Sequence, residues 1–223
     1  MAERHLEPVL QPAPLKHAVY DALEERIIYG VLPPGAHLVE TDLANQLGVS
    51  RAPVREALHL LHRDGWVELR PRQGAFVHQP SIQEVDEVFQ VRTLLEAETA
   101  RLAAANCSED DLAAFAAALD AGEAALENRD ERGLVEANSA FHLRVTAVAG
   151  NGVLARLIAK LDKQIRWYFA PIAIRRAQES WREHAEIVKA IQAADQDRAR
   201  ELMRKHAEST RAAYHTEREQ QSG

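Results

Sequence analysis

Residues 38–77 combine two short helical patterns with a basic hairpin, and this combination constrains the fold of the chain more than any other feature. The apolar positions of the first pattern, Leu43, Ala44 and Leu47, are spaced for one helical face. Glu40, Thr41 and Asp42 precede them as capping residues. This helix should end at Gly48, because glycine tolerates the left-handed conformation of a sharp stop.

The second helix is predicted from Arg51 to Arg63, directly after Ser50. Pro53 lies in its first turn, where a missing N–H is harmless. The predicted buried face consists of Val54, Ala57, Leu58 and Leu61. Arg51 and Arg55 lie on the opposite side. Two helices joined by a glycine-containing turn are the arrangement that presents a recognition helix to the major groove of DNA.

A hairpin should follow, because residues 66–70 alternate apolar and polar side chains, residues 71–74 turn the chain and residues 75–77 return. Arg70 and Arg72 lie at or near its tip, where guanidinium groups can reach phosphates or a minor groove. An ordinary solvated surface is the alternative role for these arginines and for Arg51 and Arg55. Their convergence on one motif favours DNA contact.

The segments GVSRAPVREAL and DGWVELRPRQGAFV are similar to the DNA-binding domain of GntR-type transcription regulators, and the resemblance covers residues from about 15 to 77. It implies that Ser50, Arg51 and Arg55 contact the operator and that Gly74 lets the backbone approach DNA. A preceding helix, residues 15–29, would pack against the motif. The predicted DNA-binding residues are Ser50, Arg51, Pro53, Arg55, Arg70, Arg72 and Gly74.

From Ser81 onward the chain shows helical periodicity and no strand pattern. Capping boxes are predicted at Ser81 with Glu84 and at Ser108 with Asp111, and the alanine-rich stretch 113–125 indicates close helix packing. Further helices are expected at residues 132–149, 153–175, 179–194 and 198–219. The expected fold class is mainly α: a winged helix-turn-helix over residues 1–78, then an all-helical effector-binding and dimerisation domain over residues 79–223.

The net charge of −7 does not exclude a nucleic-acid partner, because residues 50–72 hold five arginines against three acidic residues. So modest a positive charge predicts weak non-specific binding by one subunit. We therefore expect a homodimer on two half-sites of a double-stranded operator, an imperfect palindrome.

A membrane protein is not expected, because the chain has no run of eighteen apolar residues and residues 1–14 lack the apolar core of a signal peptide. The expected location is the cytoplasm. The single cysteine, Cys107, excludes an internal disulfide framework and should pack near a helix end.

Asn138 and His142 are four residues apart on one predicted helix, while His184 and His206 lie on two later ones. Imidazole nitrogens suit zinc, nickel, copper or iron. The chain has ten histidines, however, and spacing alone leaves a surface role open for these three.

The second half of the chain resembles the ligand-binding FCD domain of the FadR branch of GntR regulators, through NSAFHLRVTAVAGN and EHAEIVKAIQAADQDRARELMRKH. Its helix number is similar to that of the shorter, VanR-like version. The resemblance implies that Asn138, His142, His184 and His206 hold a divalent metal, zinc being favoured and nickel or another ion remaining open. Asn138 stands where many relatives have aspartate, and its neutral amide oxygen is a weaker ligand.

A metal with three neutral imidazoles keeps its positive charge, which favours a small organic acid as effector. Arg92 is predicted to contact this acid; a simple pair with Glu96 one turn later is the alternative. Trp167, Tyr168 and Phe169 could line the pocket, pack in the core or form a dimer interface.

Two other functions stay open at this point. A metal-dependent hydrolase could use His142, His184 and His206 to activate water, but the sequence has no HExxH pair, and Glu183 has an ordinary explanation as a solvated helix residue. A ligand-independent DNA-binding protein would have neither metal nor cavity.

Overall fold

The computed structural model describes residues 15–222, so the expectation of no signal-peptide core in residues 1–14 lies outside the described part. The chain divides into two compact units. One comprises the described residues up to Ile27 together with Val31–Gln79, and the other comprises Ile28–Gly30 together with the described residues from Pro80 onward. Each unit is described separately below.

The first unit is a winged helix-turn-helix. Its elements are α1 (Leu15–Ile28), β1 (His37–Leu38), α2 (Glu40–Leu47), α3 (Arg51–Arg63), β2 (Val67–Arg70) and β3 (Gly74–Val77). The strands form an antiparallel sheet in the order β1-β3-β2, with Leu69 opposite Ala75 and His37 opposite Phe76. Strand β1 was not predicted, because a two-residue strand is defined by its partner and has no periodicity of its own.

The predicted apolar faces of α1 and α3 are buried: Val19, Leu23, Ile27, Ile28, Val54, Ala57, Leu58 and Leu61. Gly48 ends α2 with a left-handed φ of 66°, as predicted. The predicted cap of α2 is wrong. Val39 is the N-cap, without a side-chain hydrogen bond, and Glu40 and Asp42 lie inside the first turn, where negative charge favours the helix dipole.

Among the described residues, the second unit contains α-helices and one 3-10 turn. The helices are α4 (Ile82–Asn106), α5 (Glu109–Glu127), α6 (Glu131–Val148), α7 (Gly152–Phe169), α8 (Ala173–Gln192) and α9 (Gln196–Ser222). Both predicted capping boxes are formed, at the starts of α4 and α5. The predicted helix over residues 153–175 is wrong: a 3-10 turn at Ala170–Ile172 divides it, because Pro171 has no N–H for an α-helical hydrogen bond.

The aromatic residues at the end of α7 are all buried, although one helix face cannot hold three consecutive side chains. Tyr168 lies with its ring centroid 6.4 Å from that of Phe89 on α4 and 5.8 Å from that of Tyr214 on α9. Trp167 and Phe169 are enclosed as well. These three residues therefore pack in the interior of the second unit.

Residues 15–222 contain no helix with the length and apolar character that crossing a bilayer requires.

Candidate functional site

The four arginines predicted to contact DNA line one open groove of about 540 Å³ on the first unit. Arg51 and Arg55 come from the start of α3, and Arg70 and Arg72 come from the hairpin. Gly74 also lines the groove. Ser50 is exposed at the N-cap of α3, and Pro53 is half-buried in its first turn.

The two arginines of α3 share an acidic partner that the sequence reasoning missed. Arg55 donates from Nε and Nη2 to the two carboxylate oxygens of Glu40, each over 2.8 Å, and Arg51 donates from Nη2 over 3.2 Å. Hydrogen bonds from Arg55 and then Arg51 lower the pKa of Glu40 to about 2. The side-on bond to Glu40 leaves Nη1 of Arg55 facing away from the carboxylate.

The hairpin arginines differ in their surroundings. Arg70 pairs with Glu68 at 3.0 Å and lies 4.3 Å above the centre of the Phe76 ring. Arg72 is exposed in the turn with a positive φ of 64°. Gly74 has a φ of 99°, and a Cβ added there would lie 3.0 Å from Nε2 of His37. A side chain at this position would therefore be strained in backbone conformation and crowded by His37.

The second unit brings together the three histidines of the predicted metal set. His142 on α6, His184 on α8 and His206 on α9 are buried, and one nitrogen from each lies within 4.8 Å of the others. Nε2 of His206 is 3.2 Å from Nε2 of His142 and 3.3 Å from Nε2 of His184. Asn138 is buried one turn before His142, and its Oδ1 has no hydrogen-bond partner among the described residues.

Two carboxylates lie behind this histidine cluster. Nδ1 of His206 is hydrogen-bonded to Oε2 of Glu183 at 2.7 Å. Nδ1 of His142 lies 3.1 Å from Oε2 of Glu96, and Glu96 also accepts from Nε of Arg92 over 3.0 Å. Ligating histidines in metalloproteins usually have such a carboxylate or carbonyl partner on the second ring nitrogen.

The sequence-based interpretation of Glu183 as an ordinary solvated residue is wrong. Glu183 is half-buried and accepts hydrogen bonds from His206 and from Arg176, which is buried on the same helix. Burial raises the pKa of the Glu183 carboxyl, and Arg176 opposes that rise. Helical spacing could not identify the contact of Glu183 with His206, because the two residues lie on different helices, α8 and α9.

The histidine cluster fits a divalent metal. Nη2 of Arg92 lies 3.0 Å from Nε2 of His142, and a guanidinium can only donate, so that nitrogen is an acceptor. The carboxylate of Glu183 makes Nδ1 of His206 the donor, which leaves Nε2 of that ring an acceptor too. Two acceptors facing each other repel unless a cation lies between them. Ligand nitrogens around tetrahedral zinc are about 3.3 Å apart, which is close to the spacings given above.

The protonation state of the rings fits the same chemistry. Burial, followed by the neighbouring histidines and by Arg92 and Arg176, holds the pKa of His184 and of His206 well below the ordinary value. Both rings are therefore neutral at pH 7, and the neutral imidazole is the form that binds metals.

Arg92 forms the pair with Glu96 that was considered as its alternative role, and it also contacts Nε2 of His142 in the histidine cluster. It is 1% exposed, and its Nη1 has no hydrogen-bond partner among the described residues. The same holds for Nε and Nη1 of Arg176 and for Oγ of Ser180, neither of which the sequence reasoning identified. Unpaired donors this deeply buried are costly, so they point to an acceptor-rich anionic ligand.

Comparison with known proteins agrees with this two-part description. The family model described as "Bacterial regulatory proteins, gntR family" matches residues 15–77, and that of the "FCD domain" matches residues 87–209. The chain is 32% identical over 195 residues to the probable D-xylose utilization operon transcriptional repressor of Paenarthrobacter nicotinovorans, covering 84% of this chain and 83% of that protein.

Two further relatives cover most of the chain. It is 28% identical over 201 residues to the uncharacterized HTH-type transcriptional regulator YdhC of Bacillus subtilis, covering 88% of this chain and 89% of that protein. The solved structure of E. coli McbR/YncC matches with a TM-score of 0.77 at 25% identity, covering 92% of this chain and 99% of that one.

Proposed function

Because the chain belongs to the gntR family of bacterial transcriptional regulators and carries an FCD domain, we propose that it is a homodimeric regulator whose operator affinity depends on a small organic acid. The acid binds beside a divalent metal in the second unit. The observation that carries this proposal is the convergence of three buried imidazole nitrogens next to two buried arginines with unpaired donors.

The first unit reads the operator through its groove. Arg51 and Arg55 on the recognition helix and Arg70 and Arg72 on the hairpin supply base and phosphate contacts, with Ser50, Pro53 and Gly74 shaping the approach. Two such units in a dimer contact two half-sites of an imperfectly palindromic duplex. Dimerisation supplies the phosphate contacts that one subunit of a chain with net charge −7 lacks.

In the second unit, His142, His184 and His206 would hold the metal, with Asn138 as a further oxygen ligand. Zinc suits neutral nitrogen ligands with an open position, although nickel or another divalent ion fits the same donor set. When bound, the ion supplies positive charge that attracts a carboxylate oxygen. Arg92 donates to the same acid, and Arg176 and Ser180 add further donors.

Control of DNA binding follows from linkage. An acid that binds one arrangement of the dimer better than the other shifts the population toward that arrangement, and its effect on operator affinity cannot exceed that difference in affinity. The relatives reported above are named as transcriptional regulators, which favours the regulator over the hydrolase alternative.

The experiment that tests the proposal begins with metal content, measured by mass spectrometry on wild type and on a His142→Ala/His184→Ala variant. We expect about one metal per subunit in wild type and none in the variant. Metal-loaded wild type is then screened against carboxylic acids by thermal shift, and each stabilising acid is tested for a change in operator affinity.

No metal in wild type after controlled reloading would overturn the metal proposal. If wild type binds a metal but none of the acids changes operator affinity, the result would favour a regulator that does not sense an acid at this site.

A further inference from the structure

Glu183 is the central residue of a three-residue hydrogen-bond network that links α8 to α9. Its Oε2 accepts a hydrogen bond from Nη2 of Arg176, two helical turns earlier on α8, and another from Nδ1 of His206 over 2.7 Å. Arg176 and His206 are 6% and 1% exposed. Glu183 itself is half-buried. The contact is therefore partly shielded from water, and such shielding strengthens a charge-assisted hydrogen bond.

The chemistry of this hydrogen-bond network determines which nitrogen of His206 carries the proton. An ionised carboxylate can only accept, so the ring must donate from Nδ1. In a neutral imidazole the other nitrogen is then an acceptor. Nε2 of His206, the nitrogen that lies 3.2 Å from Nε2 of His142, is thus left with its lone pair directed into the histidine cluster.

Glu96, the carboxylate beside His142, does not form the equivalent hydrogen bond to that ring. Nδ1 of His142 lies 3.1 Å from Glu96 but lacks a hydrogen bond by geometry, and Glu96 is engaged by Arg92. Nδ1 of His184 has no hydrogen-bond partner among the described residues. Of the three rings, His206 is therefore the one whose Nδ1 forms a hydrogen bond with a carboxylate.

We propose that Glu183, oriented by Arg176, is a positioning residue that holds His206 in the Nδ1–H tautomer and thereby sets the affinity of the histidine cluster for a divalent metal. The metal part of this inference rests on the proposed function, whereas the tautomer part does not. Glu183 itself contributes no metal ligand.

The test uses Glu183→Gln, which keeps the side-chain volume but removes the charge, and Glu183→Ala, which removes the acceptor. Glu186→Gln is the matched control, because Glu186 lies on the same helix, is exposed and pairs with Lys189 at 2.7 Å. The full-length protein is used throughout, and thermal denaturation identifies any variant that fails to fold.

Two measurements are made on each protein. Long-range ¹H–¹⁵N NMR correlations on chelator-treated protein report the tautomer of His206, and competition with a chromophoric chelator gives the zinc dissociation constant. We expect wild type and Glu186→Gln to show the Nδ1–H form. In Glu183→Gln the Nε2–H form should increase and zinc affinity should fall about 10- to 100-fold, with at least as large a loss in Glu183→Ala.

A wild-type tautomer and wild-type zinc affinity in Glu183→Gln and Glu183→Ala would overturn the inference, as would an equal loss in Glu186→Gln. If both Glu183 variants fail to fold, the tautomer of His206 in the wild-type protein tests the inference. An Nε2–H form of His206 in wild type would refute it. If wild type binds no zinc while the tautomer still changes in the variants, the proposed metal function fails and the positioning role stands.

Discussion

The indole of Trp181 on α8 passes so close to Gly122 on α5 that a Cβ added to the glycine would lie 1.7 Å from the indole Nε1. The same Nε1 donates a hydrogen bond of 3.1 Å to the carbonyl of Leu119, one turn earlier on α5. The absence of a side chain at residue 122 thus permits both the close approach of the ring and its hydrogen bond. This contact is the close packing that the alanine-rich stretch 113–125 predicted.

Substitution Gly122→Ala should destabilise the second unit. Alanine is normally better than glycine inside a helix by about 1 kcal/mol, but here its methyl group collides with a buried ring, and overpacking of this kind costs about 1–3 kcal/mol. Thermal and urea denaturation measure the change. Gly152→Ala is the control, because a Cβ there meets only Arg156 at 3.6 Å; a stabilised Gly122→Ala protein would contradict the packing described.

Arg55→Ala should weaken binding to a duplex selected by the wild-type protein from a random pool. Loss of one arginine that contacts a base costs about 1–3 kcal/mol, or roughly 5- to 150-fold in the dissociation constant measured by fluorescence anisotropy at fixed salt. Arg63→Ala is the matched control, since Arg63 is exposed in the last turn of the same helix and pairs with Asp64. Unchanged affinity in Arg55→Ala would remove Arg55 from the DNA-contact set.

The pairing of Glu40 with Arg55 and Arg51 predicts an acid-sensitive contribution to the stability of the first unit. The pKa of Glu40 is lowered to about 2 from an ordinary 4.5, so the contribution is present above pH 4.5 and is lost as the pH falls toward 2. Urea titrations monitored through the NMR signals of α2 and α3 give the free energy of unfolding of the first unit. At pH 7 this free energy should be lower in Glu40→Gln than in wild type by about 1 kcal/mol or less. The difference should shrink at pH 3, and an equal difference at both pH values would argue against this contact.

Two serines at helix starts should respond differently to alanine. Ser81 accepts a hydrogen bond from N of Glu84 over 3.1 Å, and its own N–H donates to the Glu84 side chain over 2.7 Å. Ser81→Ala should therefore cost about 0.5–2 kcal/mol of stability.

Ser50 makes no side-chain capping bond, so Ser50→Ala should leave stability within about 0.5 kcal/mol and weaken operator binding instead. Denaturation and anisotropy on the two variants separate these effects, and the reverse pattern would show that Ser50 acts as a cap.

Sequence reasoning located most helices correctly because their signals are local. The apolar spacing of α3, the stop at Gly48 and the capping boxes at Ser81 and Ser108 each depend on residues within a few positions of one another. Two errors had different causes. Strand β1 was missed because its pairing depends on β3, a distant neighbour. Helix α7 was predicted too long because Pro171 interrupts it locally, although the apolar periodicity continues.

The sequence by itself determined the two-part architecture and the kinds of side chain available, four arginines near one motif and three histidines on three helices. Only the tertiary structure decided which of them meet. The packing of α6, α8 and α9 brings the Nε2 atoms of His142, His184 and His206 together, and the fold places Glu40 against Arg55 and Glu183 against His206. The residues joined by these contacts are separated along the chain by 15 to 64 positions. Over such separations helical periodicity carries no information about distance or direction.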